Sequence, residues 1–239
     1  MIQCQITRSY AKRFLELGYP CEVMDVAFPD YNEKLIMEAY SGSTMNSMHA
    51  AFVDINYASN DVKIREISQT RVEKSIETGK KLGVKNVVVH TCCHPVLVNQ
   101  SVIDIWCETS AAYLEMLAKR YQVKIFVENS LDINPNLLKR LMKISDHDFL
   151  GVCLDVGHAN LSTVPVSVWI EELEPHIGYM HLNDNHGVYD EHLPIGQGNI
   201  DWFSLYKQIH RMKEKPITTI EVTRPEDFEI STAYLEELK

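Results

Sequence analysis

The stretch LGVKNVVVH, residues 82–90, ends a helix and starts a strand within a few positions. Before it, IREISQTRVEKSIETGKKLG (64–83) places Ile64, Ile67, Val72 and Ile76 near helical spacing, with Gly83 just past Leu82 as the stop. After it, Asn86–His90 is a β-branched run with no polar alternation, so neither face of the strand is meant for water. The same unit recurs along the chain. Short apolar runs are IQCQI (2–6), CEVMDV (21–26), TMNSMH (44–49), NVVVH (86–90), VKIFVE (123–128), GVCLD (151–155), IGYMHL (177–182) and ITTIEV (217–222), eight in all. Between them lie amphipathic stretches. SVIDIWCETSAAYLEMLAKRY (101–121) turns Ile103, Trp106, Ala111, Leu114 and Leu117 to one broad face, and NPNLLKRLMKI (134–144) opens on an asparagine and a proline. DWFSLYKQIHRM (201–212) opens on a candidate cap at Asp201, and FEISTAYLEEL (228–238) supplies a final helix. Strands that alternate with helices and are apolar on both faces belong to a parallel sheet covered by helices. Eight of them predict an α/β chain folded as one (β/α)8 TIM barrel spanning residues 1–239.

An open doubly wound sheet would carry a glycine-rich phosphate turn after an early strand. The only Gly-x-Gly here, Gly196 to Gly198, comes late and leads to Asp201.

The chain carries 33 acidic and 23 basic residues, a formal net charge of −10, so it supplies no overall attraction to nucleic acid or to an anionic membrane. No run reaches the length of a membrane span, and MIQCQITRSY lacks the apolar centre of a secretion signal. The six cysteines form no C-x-x-C pair and read as reduced thiols, so the expected compartment is cytoplasmic. A homodimer is the expected assembly, because twofold dimers are the commonest soluble oligomers.

The polar residues sit at telling places. His49, His90, Glu128, Asp155, His181 and Glu221 each lie at or near the C-terminal end of a predicted strand, the face on which barrel active sites form. Singly, His49 fits a satisfied core histidine and Glu128 an acidic loop residue. Jointly, several inward carboxylates repel one another unless a cation lies between them. Two local spacings add donors: Asp155 and His158 in LDVGHAN, and Asp190-x-His192 beyond His181. The candidate metal ligands are therefore His49, His90, Glu128, Asp155, His158, His181, Asp190, His192 and Glu221, too many for one tetrahedral ion and suited to as many as three. Histidine and carboxylate without thiolate point to zinc, manganese or iron. Asn129, Asn183 and Asp184 are candidates for orienting ligands or substrate. His94 and His186 have no assigned task, His147, His176 and His210 read as surface residues, and Met45 and Met48 as barrel packing.

The segments MHAAFVDINYASND (48–61), LGVKNVVVH, FVENS (126–130), VCLDVGHAN (152–160), HLNDNHGVYDEHLPIGQGNIDW (181–202) and TIEV (219–222) resemble the xylose-isomerase-like barrels. These include the AP endonuclease family 2 proteins (endonuclease IV and relatives) and many sugar or sugar-phosphate isomerases and epimerases. The resemblance runs from about residue 45 to 223. In the endonuclease branch it implies a trinuclear zinc site: His49 and His90 on one ion, Glu128 bridging, Asp155, His181 and Glu221 as further ligands, and His158 with Asp190 and His192 on another. In the isomerase branch it implies one divalent ion, zinc or manganese, held by Glu128, Asp155, His181 and Glu221. Glu128 and Glu221 would then exchange a proton across an enediolate, with His158 beside a substrate hydroxyl.

All nine endonuclease-type positions are filled, yet the loops after the first two strands carry little positive charge to grip a duplex. Several epimerases of this kind have an arginine after the seventh strand, and residues 181–199 contain neither Arg nor Lys. The compact, acidic chain favours a metal-dependent isomerase or epimerase of a small sugar or sugar phosphate, bound to one to three ions. Zinc-dependent phosphodiester hydrolysis at abasic sites in DNA, or on a small phosphoester, is the alternative.

Overall fold

The eight runs form eight parallel strands closed into a barrel in a computed structural model that describes residues 2–43, 45–93 and 99–239. The strands are β1 (Ile2–Ile6), β2 (Cys21–Val23), β3 (Ser47–His49), β4 (Asn86–His90), β5 (Lys124–Glu128), β6 (Leu150–Asp155), β7 (Ile177–Leu182) and β8 (Ile217–Ile220). Closure comes from β1, where Cys4 lies opposite Cys21 on one side and opposite Ile220 on the other. The expected single (β/α)8 barrel is the fold observed.

Helices α1 (Ala11–Glu16), α2 (Glu33–Ala39), α3 (Val62–Lys81), α4 (Gln100–Tyr121), α5 (Asn136–Ile144), α6 (Val156–Asn160), α7 (Val166–Leu173), α8 (Trp202–Arg211) and α9 (Pro225–Glu237) connect the strands among the described residues. Their starts follow local chemistry. Asp61 accepts from the amides of Lys63 and Ile64 at the head of α3, Asn99 from Val102 at α4, and Asp201 from Ser204 at α8, as the sequence predicts for the last. The buried face of α3 differs from the spacing read in the sequence. Val72 and Ile76 are buried, but Ile64 and Ile67 are exposed, and Ser68, Ser75 and Gly79 complete the face. Small residues let this helix lie close to β3: a Cβ on Gly79 would overlap the Met48 side chain. Met45 and Met48 are buried packing residues, as expected.

Four strands, β2, β3, β5 and β8, are shorter than their sequence runs. The run 21–26 stays extended only to Val23, because Asp25–Ala27 turns into a single 3-10 segment. In the run 44–49 the strand starts at Ser47, with Thr44 outside the described residues. β8 ends at Ile220, and Glu221 is still held at its end by an amide bond of 3.0 Å to the Leu182 carbonyl.

Alternate strand residues face the interior. One interior layer packs Val88, Phe126, Cys153 and Tyr179 with Ile217, apart from the larger cluster between strands and helices. Two positions further along each strand come His90, Glu128, Asp155 and His181, so the apolar layer is the floor under the candidate ligands. Phe126 fills that floor because β6 and β7 leave room for it: a Cβ on Gly178 would lie 2.6 Å from its ring, and one on Gly151 3.0 Å. No described helix is long and apolar enough to cross a membrane.

Gly178→Ala drives a methyl into the Phe126 ring, and the overpacking is expected to cost about 1–3 kcal/mol. Denaturant unfolding checks this, with Gly42→Ala, where nothing lies within 4 Å but φ is +77°, as the contrasting backbone-only variant.

Candidate metal centre

All nine predicted ligands converge on the C-terminal face of the barrel. Donor atoms of His49, His90 and Glu128 lie within 4.8 Å of one another, as do those of Glu128, Asp155, His181 and Glu221, and those of His158, Asp190 and His192. Glu128 belongs to two of these groups. Its Oε2 is 3.1 Å from His49 Nε2 and 3.6 Å from His90 Nε2, and its Oε1 is 3.3 Å from His181 Nδ1 and 3.4 Å from His158 Nδ1.

Four of the five rings are aimed by their other nitrogen. A backbone carbonyl only accepts, so Nδ1 of His49 donates to Ala50 (2.9 Å), Nδ1 of His158 to Asn129 (2.8 Å) and Nδ1 of His192 to Glu221 (3.2 Å). That leaves Nε2 of His49 facing Glu128, and Nε2 of His158 and His192 both facing Asp190 Oδ2, at 3.3 and 3.0 Å. A bare imidazole lone pair pointed at a carboxylate is repelled. Such a pair needs either a second proton on the ring or a cation between the two. With protons alone, His192 is pushed up to about 10: burial opposes its charge, but the Asp190 bond and the Glu221 and Asp155 charges outweigh that. His90, where burial dominates, is pushed down to about 3.

His181 is turned the other way. Its Nε2 donates to Glu22 Oε2 at 3.1 Å, both residues being fully buried, and the Tyr179 hydroxyl donates to the same oxygen. Its Nδ1 then faces Glu221 Oε2 at 3.1 Å, and neither atom has a hydrogen bond although both are buried. Gln5 donates to the other Glu221 oxygen at 2.7 Å. Two orphaned polar atoms facing each other at the bottom of a ring of carboxylates fit a divalent cation with oxygen and nitrogen ligands.

Asp155 is held by its carboxylate and its backbone, the Asn129 side-chain amide donating to its carbonyl at 3.0 Å. Its Oδ1 accepts the His158 amide at 2.6 Å and caps α6, its Oδ2 accepts from Asn183 at 3.0 Å, and its backbone amide donates to Asn129 at 2.8 Å. Burial pushes its carboxyl up to about 7. Asn129 and Asn183 thus stand where the sequence suggested. Asp184 does not: its carboxylate accepts from the Trp202 indole (2.7 Å) and from the amides of Gly196 (3.0 Å) and Asn185 (2.9 Å), so it pins the loop that carries Asp190 and His192. Cys153 lies near Glu128 and His181, but burial raises its thiol far above the range in which it ionises.

Phe52 packs its ring against His49 (5.0 Å between centroids) and His90 (4.8 Å), walling one side of the cluster. His90 and His158 also line a pocket of about 470 Å³, together with Asp54, Cys92, Ser130 and Asp190. His186 pairs with Glu191 at the surface, His147 and His176 pack together away from the cluster, and His210 lies against Tyr206. His94 is outside the described residues. Glu22 and Gln5 escaped the sequence reading. The trace they leave is a polar side chain inside an apolar run, outside any recognisable motif.

The chain belongs to the xylose isomerase-like TIM barrel family, whose pattern matches residues 30–239. Uncharacterized protein MJ1311 of Methanocaldococcus jannaschii is 32% identical over 186 residues, covering 73% of this chain and 63% of that protein, so the match spans less than two thirds of the relative's length. Among solved structures, a D-tagatose 3-epimerase-like protein superposes with a TM-score of 0.83 at 25% identity, covering 99% of this chain and 96% of that one. TTHB071 protein from Thermus thermophilus, soaked with zinc chloride, superposes at 0.78 with 23% identity over 99% and 97% of the two chains.

The His181–Glu22 bond has its own signature. In protein held in chelator, the buried His181 Nε2 proton is expected as a slowly exchanging resonance downfield of the amides. Glu22→Leu should remove it, and its persistence would contradict the assigned direction of the ring.

Proposed function

We propose that this protein is a divalent-metal-dependent isomerase or epimerase acting on a small sugar or sugar phosphate through an enediolate. The observation that carries this reading is the convergence of Glu128 Oε1 and Glu221 Oε2 on one imidazole nitrogen, at 3.3 and 3.1 Å. Two carboxylates that meet at one point can take a proton from one face of a small substrate and return it to the other. The likeness to a D-tagatose 3-epimerase-like protein supports the same class.

Glu128, Asp155, His181 and Glu221 would hold the essential ion, zinc or manganese. When bound there, it supplies Lewis acidity that polarises a substrate carbonyl and acidifies the neighbouring C–H. The chain does the rest. Gln5 occupies one oxygen of Glu221 and leaves the other to move a proton. Glu128, which faces the pocket-lining His90 and His158, is the opposite proton carrier. His158, fixed by Asn129 and lining the pocket, contacts a substrate hydroxyl, and Phe52 keeps water off the His49 side. The pocket's volume suits a ligand of sugar size. The free thiols fit a reducing, cytoplasmic setting, and a homodimer is the assembly we propose.

A second reading rests on the third donor group, His158, Asp190 and His192. With it the site has the ligand capacity for three ions and for phosphodiester hydrolysis. The charge of −10, and the loop 24–32 with Asp25 and Asp30 but no Lys or Arg, weigh against a DNA substrate.

Solvent deuterium should enter a C–H position of a ketose supplied to the metal-loaded protein, stop on chelation and return with added metal. Glu221→Gln is expected to slow exchange by about 10²–10⁴-fold, read by mass spectrometry. No exchange with any of a panel of ketoses and their phosphates would count against the proposal. His192→Ala separates the two readings. Deuterium exchange that survives it with an unchanged metal count supports one-ion chemistry, whereas an ion lost together with a phosphodiester-cleaving activity of the parent protein supports hydrolysis.

A further inference from the structure

We propose that a pocket between the loop after β2 and helix α3 binds an oxyanion, a phosphoryl or carboxylate group, through Arg71 and Lys74. The pocket encloses about 180 Å³ and is lined by Val26, Phe28, Pro29, Asp30, Tyr31 and Ala51 together with the two basic side chains.

Arg71 is the observation that asks for a ligand. Its half-buried guanidinium lines the pocket and makes no hydrogen bond or ion pair with any described residue, with Nη2 shielded from solvent and the rest of the fork left without an acceptor. A guanidinium N–H withdrawn from water without an acceptor carries an uncompensated desolvation cost. The cost is not for want of acids in a chain with 33 of them. Nearby groups are committed elsewhere. Ser75 Oγ donates to the Val72 carbonyl and accepts the Ala51 amide, Ser68 Oγ accepts the Asn56 amide, and on the same helix Glu73 binds Arg120 and Tyr121, which also bonds Glu77. Asp30, exposed in the lining, forms no ion pair with either cation among the described residues, so two positive charges share the pocket with one carboxylate.

The remaining walls are chemically quiet. Tyr31 spends its hydroxyl on Thr78 and the Lys74 carbonyl, with the Lys74 ammonium 5.7 Å from its ring, and Val26, Phe28, Pro29 and Ala51 are apolar. A planar fork with an unused donor, a second cation and apolar walls is the arrangement that holds an oxyanion by charge-assisted hydrogen bonds. The pocket also has a defined relation to the cluster. Phe28 packs edge-on against Phe52 at 6.0 Å, and Phe52 against His49 at 5.0 Å, so one aromatic layer separates the two sites. The anion site stands whether or not the cluster acts on sugars, because none of its residues is a candidate metal ligand.

The test uses the protein stripped of metal and then freed of chelator, so that neither a metal nor a polycarboxylate competes, titrated with inorganic phosphate and followed by the backbone amides of Tyr31 and Ala51 and the Arg71 Nε–H in NMR spectra. Saturable shifts in the millimolar range are expected. Arg71→Met should weaken binding by about tenfold or more, the worth of one charge-assisted hydrogen bond. Lys74→Gln should weaken it by a smaller factor, and Lys63→Gln, on the same helix but outside the pocket, should leave it unchanged. Lys74→Gln keeps the test decisive should Arg71→Met fail to fold. Sulfate and acetate, titrated in parallel, tell a tetrahedral from a planar preference. The proposal is overturned by an absence of saturable shifts, by folded Arg71→Met or Lys74→Gln protein that binds phosphate as the parent does, or by Lys63→Gln weakening it as much as Lys74→Gln.

Discussion

A fully buried glutamate, Glu128, faces four imidazoles within 3.6 Å, and the carboxylates of Asp155 and Glu221 share the same space. So dense a set of ionisable groups cannot be left to its own charges. Removed from water, like charges repel at full strength, and each lone pair aimed at an oxygen adds to the strain. His49, His158, His192 and His181 are oriented by acceptors behind them, three backbone carbonyls and the Glu22 carboxylate, so their free nitrogens are committed to point inward before anything binds. Such orientation from behind is the usual support for a metal-binding histidine.

The barrel makes this commitment affordable. Its closed hydrogen-bonded ring fixes where strand ends lie, and the period of two puts a packed apolar layer directly beneath the polar one. Phe126 and Tyr179 belong to that layer, and Tyr179 also reaches out of it to bond Glu22, which ties floor and site together. The precision of the cluster therefore rests on ordinary packing two residues down each strand.

The strand ends were legible because a polar residue closing an apolar run is a local pattern, and eight such runs leave little freedom of topology. Asp155 and His158, or Asp190 and His192, are neighbours in sequence and were equally readable. Glu22 and Gln5 were not, because what they do depends on the partner that barrel closure brings across, His181 and Glu221, each more than 150 residues away. Asp184 was misjudged for a related reason: it sits among site residues in sequence, yet its carboxylate points to Trp202 and the Gly196 turn rather than to the cluster. Ile64 and Ile67 fit the helical period and still ended in water, since the helix packs through serines and a glycine that hydrophobicity does not mark. Arg71 carried no sequence mark at all. Its isolation is a property of what surrounds it in space.

The loop from Asn185 to Ile200 is secured by its own roots. Asp184 and Leu193 exchange backbone bonds of 3.0 and 2.8 Å, and the Asp184 carboxylate grips Trp202 and Gly196. Asp190 and His192 therefore hang from an anchorage that the rest of the cluster does not share. Glu128, Asp155 and His181 come from strands and Glu221 from the residue after β8, while the third group draws two of its three donors, Asp190 and His192, from one loop. In a scaffold divided this way, the number of ions is a trait of one loop, open to change by a few substitutions at its tip, and the barrel beneath need not be rebuilt when the chemistry it hosts is exchanged.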